Sequence, residues 1–368
     1  MSDPVGPILY LAGKLRFRSS SLFLLNLIRG IRDAGETTRL LCSGVSIRGE
    51  AARLEIDYED WNRAPGGWRA ALLAGAFRRM LDEWGVRLVH VHGQDINRLQ
   101  RGLLHHCKRP VVYTPGSFQF NPAIVRRIQL SASHVIASDQ GLREDCVNEA
   151  KVPKEKVVVV QQGINLGLAP VSLPRLGEQR PVVGTMGPLI LRNGLEEFLK
   201  AARKLVDDGA RARFIIAGDG PDERSLRTLC SDLHLNSCVT FVTRVTSLQT
   251  ILECIDIFVR PSVMGGLGFV MLGAMAAGKA VVASDVGGAY SLLKEGVCGK
   301  LVAKGDSDAL AAGVAELLAD PARTQQYGRN AREFVRENYR MQDTVERTLA
   351  VYRDARDAYK RLAESPRP

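Results

Sequence analysis

Short runs of apolar, β-branched residues alternate with longer amphipathic stretches from one end of this 368-residue chain to the other. Such runs are typical of strands in parallel sheets, and the stretches between them are typical of helices that cover both sheet faces. The predicted strands are Pro7–Leu11, Thr38–Cys42, Leu88–Val91, Val111–Thr114, His134–Ala137, Val157–Val160, Pro181–Met186, Arg213–Ala217, Val239–Val242, Ile255–Val259, Ala280–Ala283 and Lys300–Val302. The pattern therefore predicts an α/β fold with doubly wound parallel sheets.

The length of the chain and one irregular segment predict two domains joined by a linker. A chain of 368 residues is long for a single hydrophobic core. Residues 166–180 lie in a stretch rich in Gly, Pro and Leu without a clear period, which is typical of a linker. We expect Rossmann-like domains at 1–165 and 181–338, with a ligand-binding cleft between them. Residues 339–368 form a charged helical tail, for which we consider packing back on the N-terminal domain.

Composition and charge narrow the classes of protein to consider. Hydrophobic residues make up 45% and charged residues 24%, the balance of a soluble globular protein, and no apolar run is long enough to span a membrane. Seven scattered cysteines without a C-x-x-C pair predict reduced thiols and a cytoplasmic location.

The net charge of +10 lies mainly in the first half of the chain, since residues 1–165 hold 23 Lys and Arg against 16 Asp and Glu, or +7. This bias favours anionic partners, including peripheral contact between the N-terminal domain and the inner face of an anionic membrane, although a solvated basic surface explains it equally well. No nucleic-acid-binding module is recognisable, so nucleic acid is not an expected partner.

The most specific motif runs from Arg260 to Gly288. A strand ends in Arg-Pro-Ser, a glycine-rich turn opens a helix of small residues, and a second strand runs into Asp-Val-Gly-Gly. This motif resembles the C-terminal signature of family-4 glycosyltransferases of the GT-B fold. The Gly218-Asp219-Gly220 turn continues the resemblance, which reaches the N-terminal half through Val89-His90-Val91-His92-Gly93. It implies a GT-B fold with an acceptor-side N-terminal domain and a donor-side C-terminal domain.

The resemblance also implies transfer of a sugar from a nucleotide diphosphate-sugar with retention of configuration. In the family, an Arg and a Lys neutralise the leaving diphosphate, and two carboxylates in an E-x7-E pattern contact the sugar and the ribose. This sequence departs at all four positions, which are occupied by Pro188, Asn193, Gly265 and Gly273. Arg192 is adjacent and is a candidate substitute. The candidate phosphate-binding glycines, through their backbone N–H groups, are Gly218, Gly220, Gly266 and Gly268.

On the acceptor side, His92 at a strand end resembles the histidine that lies near the transferred sugar in this family, and a buried structural histidine is the alternative. The loop after the first strand could hold an anion at a helix start, and an exposed basic loop is equally consistent with it. Its candidate residues are Lys14, Arg16, Arg18 and Ser19. No metal or cofactor is expected, and a nucleotide-sugar would be a substrate if the protein is active.

These residues leave two main hypotheses. In the first, the scaffold is a pseudo-glycosyltransferase, non-catalytic or very weak, that binds a glycan or a true glycosyltransferase in glycan or glycoconjugate biosynthesis. In the second, it is an active retaining hexosyltransferase that delivers sugar to an envelope polysaccharide or glycoconjugate through an altered donor site. The missing donor-site side chains favour the first. A nucleotide- or polyanion-binding regulator is a third hypothesis.

Overall fold

A computed structural model of the chain describes residues 4–60, 70–96, 98–116, 120–166, 180–245, 247–263, 268–286, 289 and 292–364. The chain forms two compact units. The N-terminal unit comprises Met1–Arg16, Phe23–Gly163 and Met341–Pro368, and the C-terminal unit comprises Phe17–Leu22 and Ile164–Arg340. Most of the predicted linker, residues 167–179, lies outside the described residues.

The N-terminal unit is built on a parallel sheet of seven strands. These strands are β1 (Ile8–Ala12), β2 (Thr38–Cys42), β3 (Tyr58–Asp60), β4 (Leu88–His92), β5 (Val111–Thr114), β6 (His134–Ala137) and β7 (Val157–Val159). Their order is β3-β2-β1-β4-β5-β6-β7, so the direction of winding reverses between β1 and β4. Ala12 pairs with both Cys42 and His92, and β1 and β4 therefore end at the same level of the sheet.

Helices follow the strands of this sheet, as the amphipathic stretches predict. They are α1 (Ser19–Asp33), α2 (Arg48–Arg53), α3 (Ala70–Glu83), α4 (Arg98–Leu104), α5 (Pro122–Gln129) and α6 (Gln140–Asn148). Two of them begin at side chains that cap the free N–H groups of the first turn: Asn121 for α5 and Asp139 for α6. The described apolar side chains of α3 to α6 pack with the sheet into one core that includes Phe77, Leu81 and Tyr113.

The C-terminal unit is built on a second parallel sheet, of six strands. These strands are β8 (Val182–Met186), β9 (Arg213–Ala217), β10 (Val239–Val242), β11 (Ile257–Arg260), β12 (Ala280–Ser284) and β13 (Gly299–Val302). Their order is β10-β9-β8-β11-β12-β13, with the reversal between β8 and β11. The helices of this unit are α7 (Leu195–Asp207), α8 (Glu223–Asp232), α9 (Leu248–Glu253), α10 (Phe269–Ala276), α11 (Ser307–Ala319) and α12 (Pro321–Asn338).

A last helix, α13 (Met341–Glu364), belongs to the N-terminal unit. It forms most of the predicted helical tail, residues 339–368, and it is separated from α12 by a short break. Tyr339 leaves the helical conformation because its carbonyl accepts the N–H of Ile164 at 2.8 Å, and Arg340 forms a parallel bridge with Ile164. The interruption is thus caused by a contact with a segment distant in the chain.

The prediction of two doubly wound α/β domains is confirmed by these two parallel sheets. The strand bounds agree with the predicted ones to within two residues. Among the described residues, β3, α2 and α9 are short elements that the sequence pattern did not reveal. Among the described residues, no helix combines the length and the hydropathy that crossing a membrane requires.

Candidate functional site

The carboxyl edge of the C-terminal sheet, between β8 and β11, is where a ligand is expected in a fold of this kind. Strand order reverses there, and in doubly wound folds ligands generally bind outside the carboxyl ends of the strands at such a point. Val183 pairs with Ile257 and Gly184 with Phe258. Continued along both strands, this register brings their last residues, Met186 and Arg260, side by side at that edge.

The loop after β8 contains three of the predicted donor-site residues, Pro188, Arg192 and Asn193, and a hydrogen bond within the loop stabilises it. Asn193 Nδ2 donates a hydrogen bond to the carbonyl oxygen of Pro188 at 2.7 Å. Leu189 between them is fully buried, and its N–H donates to the carbonyl of Asp219 at 2.8 Å. Arg192 is exposed. The amide of Asn193 therefore stabilises the loop, and Arg192 is the residue of this loop whose charge faces solvent.

Glycines let this loop approach its neighbours more closely than any side chain would allow. A Cβ atom on Gly194, which has φ +72°, would lie 1.7 Å from the carbonyl oxygen of Pro261. A Cβ on Gly218 would lie 1.9 Å from the carbonyl of Gly187, and one on Gly220 would lie 2.3 Å from that of Leu189. Contact of Gly218 and Gly220 with phosphate stays a prediction, and in the structure these glycines allow two adjacent loops to pack closely.

Gly273, at the position of the second expected carboxylate, lies on a buried face of α10. A Cβ atom there would lie 2.9 Å from Leu248 Cδ2, 3.6 Å from Leu252 Cδ1 and 3.7 Å from Ile164 Cδ1. The sequence left open whether this glycine admits a ligand or a neighbouring part of the chain, and in the structure apolar side chains occupy the space. Gly265 and Gly266 lie outside the described residues.

Arg260 is a candidate site residue to which the sequence assigned no role. It is the last residue of β11, is half-buried, and donates from Nη1 to the carbonyl of Val286 at 3.5 Å. Its Nε lies 3.1 Å from the position of a Cβ on Gly268, the glycine at φ +65° that precedes α10. Burial lowers the pKa of Arg260 to about 10, so the side chain is still charged at neutral pH.

In the N-terminal unit, His92 ends β4 at the corresponding reversal of strand order. It is only 5% exposed, and its ring centroid lies 6.0 Å from those of Phe23 and His90. In the basic loop after β1, Lys14 and Arg16 belong to the N-terminal unit and are exposed, whereas Arg18 and Ser19 are assigned to the C-terminal unit and are half-buried. The predicted acceptor-side residues thus include one buried imidazole and two solvent-facing charges.

Four buried residues of the N-terminal unit form a polar cluster, called here the tyrosine–histidine cluster: Tyr10, His90, Thr114 and Tyr352. His90 Nδ1 is hydrogen-bonded to the hydroxyl of Tyr352, and His90 Nε2 lies 2.9 Å from Thr114 Oγ1. The Tyr352 hydroxyl also donates to the Tyr10 hydroxyl at 3.1 Å. Burial lowers the pKa of His90 well below its ordinary value, so the imidazole is neutral. The cluster joins α13 to the centre of the sheet.

The residues that the structure describes contain no group of three or more His, Cys, Asp and Glu side chains arranged to hold a metal ion. Arg192, Arg260 and the main-chain N–H groups of the adjacent loops are candidate anion-binding groups at the edge of the C-terminal sheet.

Comparison with known proteins identifies the family. Residues 21–168 match the family described as Glycosyltransferase Family 4, and residues 174–334 match Glycosyl transferases group 1. An alpha-maltose-1-phosphate synthase from Mycolicibacterium smegmatis is 31% identical over 263 residues, which cover 65% of this chain and 67% of that protein. The chain belongs to glycosyltransferase family 4. The resemblance drawn from the Arg260–Gly288 motif is thereby confirmed at the level of the family.

A further relative and a solved structure are also similar to this chain. A lipopolysaccharide core biosynthesis mannosyltransferase, LpcC from Rhizobium leguminosarum, is 29% identical over 309 residues, covering 79% of this chain and 82% of that one. The crystal structure of Anabaena HepE in complex with UDP and glucose has a TM-score of 0.79 at 20% identity, covering 93% of this chain and 98% of HepE. The second likeness extends the agreement in fold over nearly the whole chain.

Proposed function

We propose that this family-4 protein takes part in the biosynthesis of a glycan or glycoconjugate, and that it transfers sugar from a nucleotide-sugar very slowly or not at all. Its targets would be a glycan or nucleotide-sugar and a catalytically competent glycosyltransferase. The pathway is suggested by relatives such as the lipopolysaccharide mannosyltransferase, and nucleotide binding by the UDP complex of HepE.

The observation that carries the proposal is the packing around Gly273. Leu248 and Leu252 fill the space beside this glycine, at the position where the family resemblance expects a carboxylate. The amide of Asn193, at an expected lysine position, is engaged with the carbonyl of Pro188. Loss of a single group that stabilises charge in a transition state costs about 10²–10³ in kcat. Loss of several should leave little sugar transfer.

One observation favours the second candidate function, an active transferase with an altered donor site. Arg260 keeps a charged guanidinium at the edge of the sheet where strand order reverses. A cation there can compensate part of the charge on a leaving diphosphate, as donors fixed at developing charge do in other enzymes.

The test measures nucleotide release from UDP-, GDP-, ADP- and TDP-sugars, with oligosaccharides and lipid-linked saccharides as acceptors. We expect any turnover to be at least about 100-fold below the ~10 s⁻¹ of a typical enzyme. The Gly273→Glu variant should not exceed the wild-type protein in turnover, because its Cβ would already lie 2.9 Å from Leu248 Cδ2 and its side chain would enter apolar surroundings. Acceptor-dependent release at ordinary enzymatic rates, abolished by His92→Ala, would establish the active transferase instead.

A further inference from the structure

Three turns at the amino edge of the N-terminal sheet form one continuous surface. They precede β5, β6 and β7, which are parallel neighbours in the sheet, so all three turns lie at the same edge. Ser131 Oγ lies 3.1 Å from His105 Nδ1, and Lys156 Nζ donates to the carbonyl oxygen of Ala132 at 3.2 Å. The turns therefore contact one another. Together with the last turn of α5 they are called here the amino-edge surface, which comprises residues 105–110, 126–133 and 149–156.

The amino-edge surface carries an excess of positive charge. It holds seven Lys and Arg against two Glu, a difference of +5, which is most of the +7 counted for residues 1–165. Arg109 is paired with Asp82, and Lys156 is half-buried. The other five cations are exposed: Lys108, Arg126, Arg127, Lys151 and Lys154. The basic bias of the first half of the chain is thus concentrated at one edge of the sheet.

Two of these lysines have backbone conformations that disfavour any residue with a side chain. Lys108 has φ +46° and Lys151 has φ +56°. Among the described residues, only Glu55 and His234 are further non-glycine residues with positive φ. Glycine adopts this conformation at the least steric cost. The presence of a long cationic side chain at both turns, against that cost, favours a role for the charge outside the fold.

Apolar side chains are exposed at the same edge. Leu130 follows the last residue of α5 within the amino-edge surface and is 68% exposed. The helix α13 reaches this edge at the start of β6, where Asp354 Oδ2 is bonded to His134 Nε2 at 3.0 Å. Its remaining residues continue for about 15 Å beyond Asp354. They include Tyr359 and Leu362, which are 36% and 78% exposed.

Positive charge combined with exposed apolar side chains fits an anionic lipid surface better than it fits a polyanion in solution. Anionic headgroups attract lysine and arginine side chains that approach the bilayer. Leucine and tyrosine side chains are stabilised when they enter the boundary between headgroups and acyl chains. A dissolved polyanion would neutralise the cations but would leave Leu130 and Leu362 in contact with water.

We propose that the amino-edge surface docks this protein on a bilayer that contains anionic lipid, with Leu130 inserted among the headgroups. Docking by this edge leaves the opposite, carboxyl edge of the same sheet, where His92 ends β4, directed away from the bilayer. A glycan bound at that edge would therefore stand clear of the lipid surface. This inference goes beyond the proposed function and holds whether or not sugar is transferred.

The experiment is flotation of the full chain with phosphatidylcholine vesicles that contain either no anionic lipid or about one-third phosphatidylglycerol, at low and at physiological salt. The double variant Lys108→Gly/Lys151→Gly removes two cations. It also relieves two unfavourable backbone conformations, so it should melt no lower than the wild-type protein. Leu130→Ser removes the apolar side chain, and its exposure makes a loss of folding unlikely to follow.

The matched controls make the same chemical changes at exposed positions of the C-terminal unit. Lys200→Ala/Lys304→Ala removes two cations, and Val297→Ser removes an apolar side chain that is 45% exposed. Melting curves followed by circular dichroism establish that each variant is folded.

We expect the wild-type protein to float with the anionic vesicles and not with the neutral ones, and we expect this binding to weaken as salt is raised. Because each cation near an anionic surface contributes about fivefold, the double lysine variant should lose about 25-fold in affinity at low salt. Leu130→Ser should lose about 5- to 10-fold, from the apolar surface that no longer enters the bilayer. Both controls should stay within about twofold of the wild-type protein.

Equal binding to the two kinds of vesicle, or no binding to either, would overturn the proposal. Equal losses for the lysine variants of both units would also overturn it, because net charge and not this surface would then decide binding. An RNA oligonucleotide that binds more tightly than the anionic vesicles, and that depends on the lysines but not on Leu130, would reassign the surface to nucleic acid. None of these results bears on sugar transfer, which nucleotide release measures separately.

Discussion

Replacing Tyr352 with phenylalanine removes a single oxygen atom from the tyrosine–histidine cluster of the N-terminal unit. The Tyr352 hydroxyl is bonded to His90 Nδ1 and donates to the Tyr10 hydroxyl at 3.1 Å. All three side chains are 0% exposed, so water cannot replace the lost partner without a rearrangement of the core. The ring itself still fills its site in the variant.

The expected magnitude follows from the two polar atoms that lose a partner. A buried donor or acceptor left unsatisfied costs about 1–3 kcal/mol. Tyr10 and His90 each lose one hydrogen bond, while His90 keeps its contact with Thr114 at 2.9 Å. The substitution also removes the cost of burying the Tyr352 hydroxyl. We expect the free energy of unfolding of the N-terminal unit to fall by about 2–4 kcal/mol.

Tryptophan fluorescence can follow this unit selectively during urea unfolding. The three tryptophans of the chain, Trp61, Trp68 and Trp84, all lie in the segment assigned to the N-terminal unit. Tyr359→Phe is the matched control, because Tyr359 is on the same helix and is 36% exposed, and it should change stability by less than about 0.5 kcal/mol. Equal unfolding midpoints for the two variants would refute the view that the cluster anchors α13.

Three further predictions concern stability. Burial lowers the pKa of His90 in the folded state, so at acidic pH the unfolded chain binds one more proton than the folded chain. The free energy of unfolding of the N-terminal unit should therefore fall by up to ~1.4 kcal/mol per pH unit below about pH 6.5. The urea midpoint of His90→Gln should depend less on pH. Gly194→Ala should destabilise the C-terminal unit by about 3 kcal/mol, since its Cβ would overlap the Pro261 carbonyl. The control is Gly209→Ala, where the added Cβ would meet no neighbour and only the φ of +86° is unfavourable, so the cost should be about 1 kcal/mol. Thermal melting followed by circular dichroism compares the two variants. Asn193→Ala should speed amide hydrogen exchange in the loop after β8, because it removes the hydrogen bond to the Pro188 carbonyl, which is worth about 1 kcal/mol.

Central strands of the sheets were predictable because they are buried on both faces and therefore appear as short apolar runs. Val111–Thr114 is an example, since all four residues are buried and the predicted and observed bounds are identical. The strand β3, Tyr58–Asp60, has no such run, because it is a short edge strand with two acidic residues. No proline or glycine marks the break between α12 and α13 at Tyr339. The Tyr339 carbonyl instead accepts a hydrogen bond from Ile164, which is distant in the chain.

The candidate site was predictable only in part. Residue types indicate which side chains could bind a ligand, but they do not indicate which neighbours those side chains contact. The glycine at position 273 is costly inside a helix, which indicates that something approaches it closely. The sequence alone could not identify that neighbour as Leu248, since α9 was too short to be recognised and its place beside α10 depends on the tertiary fold. The same holds for the loop after β8, where the residue type of Asn193 gave no sign of its bond to Pro188.

Arg260 shows how strand order decides which charges can share a function. Along the chain it is far from the loop after β8, where the family resemblance expects the cations that hold a diphosphate. In the sheet β8 and β11 are neighbours, and the pairing of Gly184 with Phe258 brings the end of one strand beside the end of the other. A guanidinium at the end of β11 therefore lies on the strand next to the one from which that loop departs.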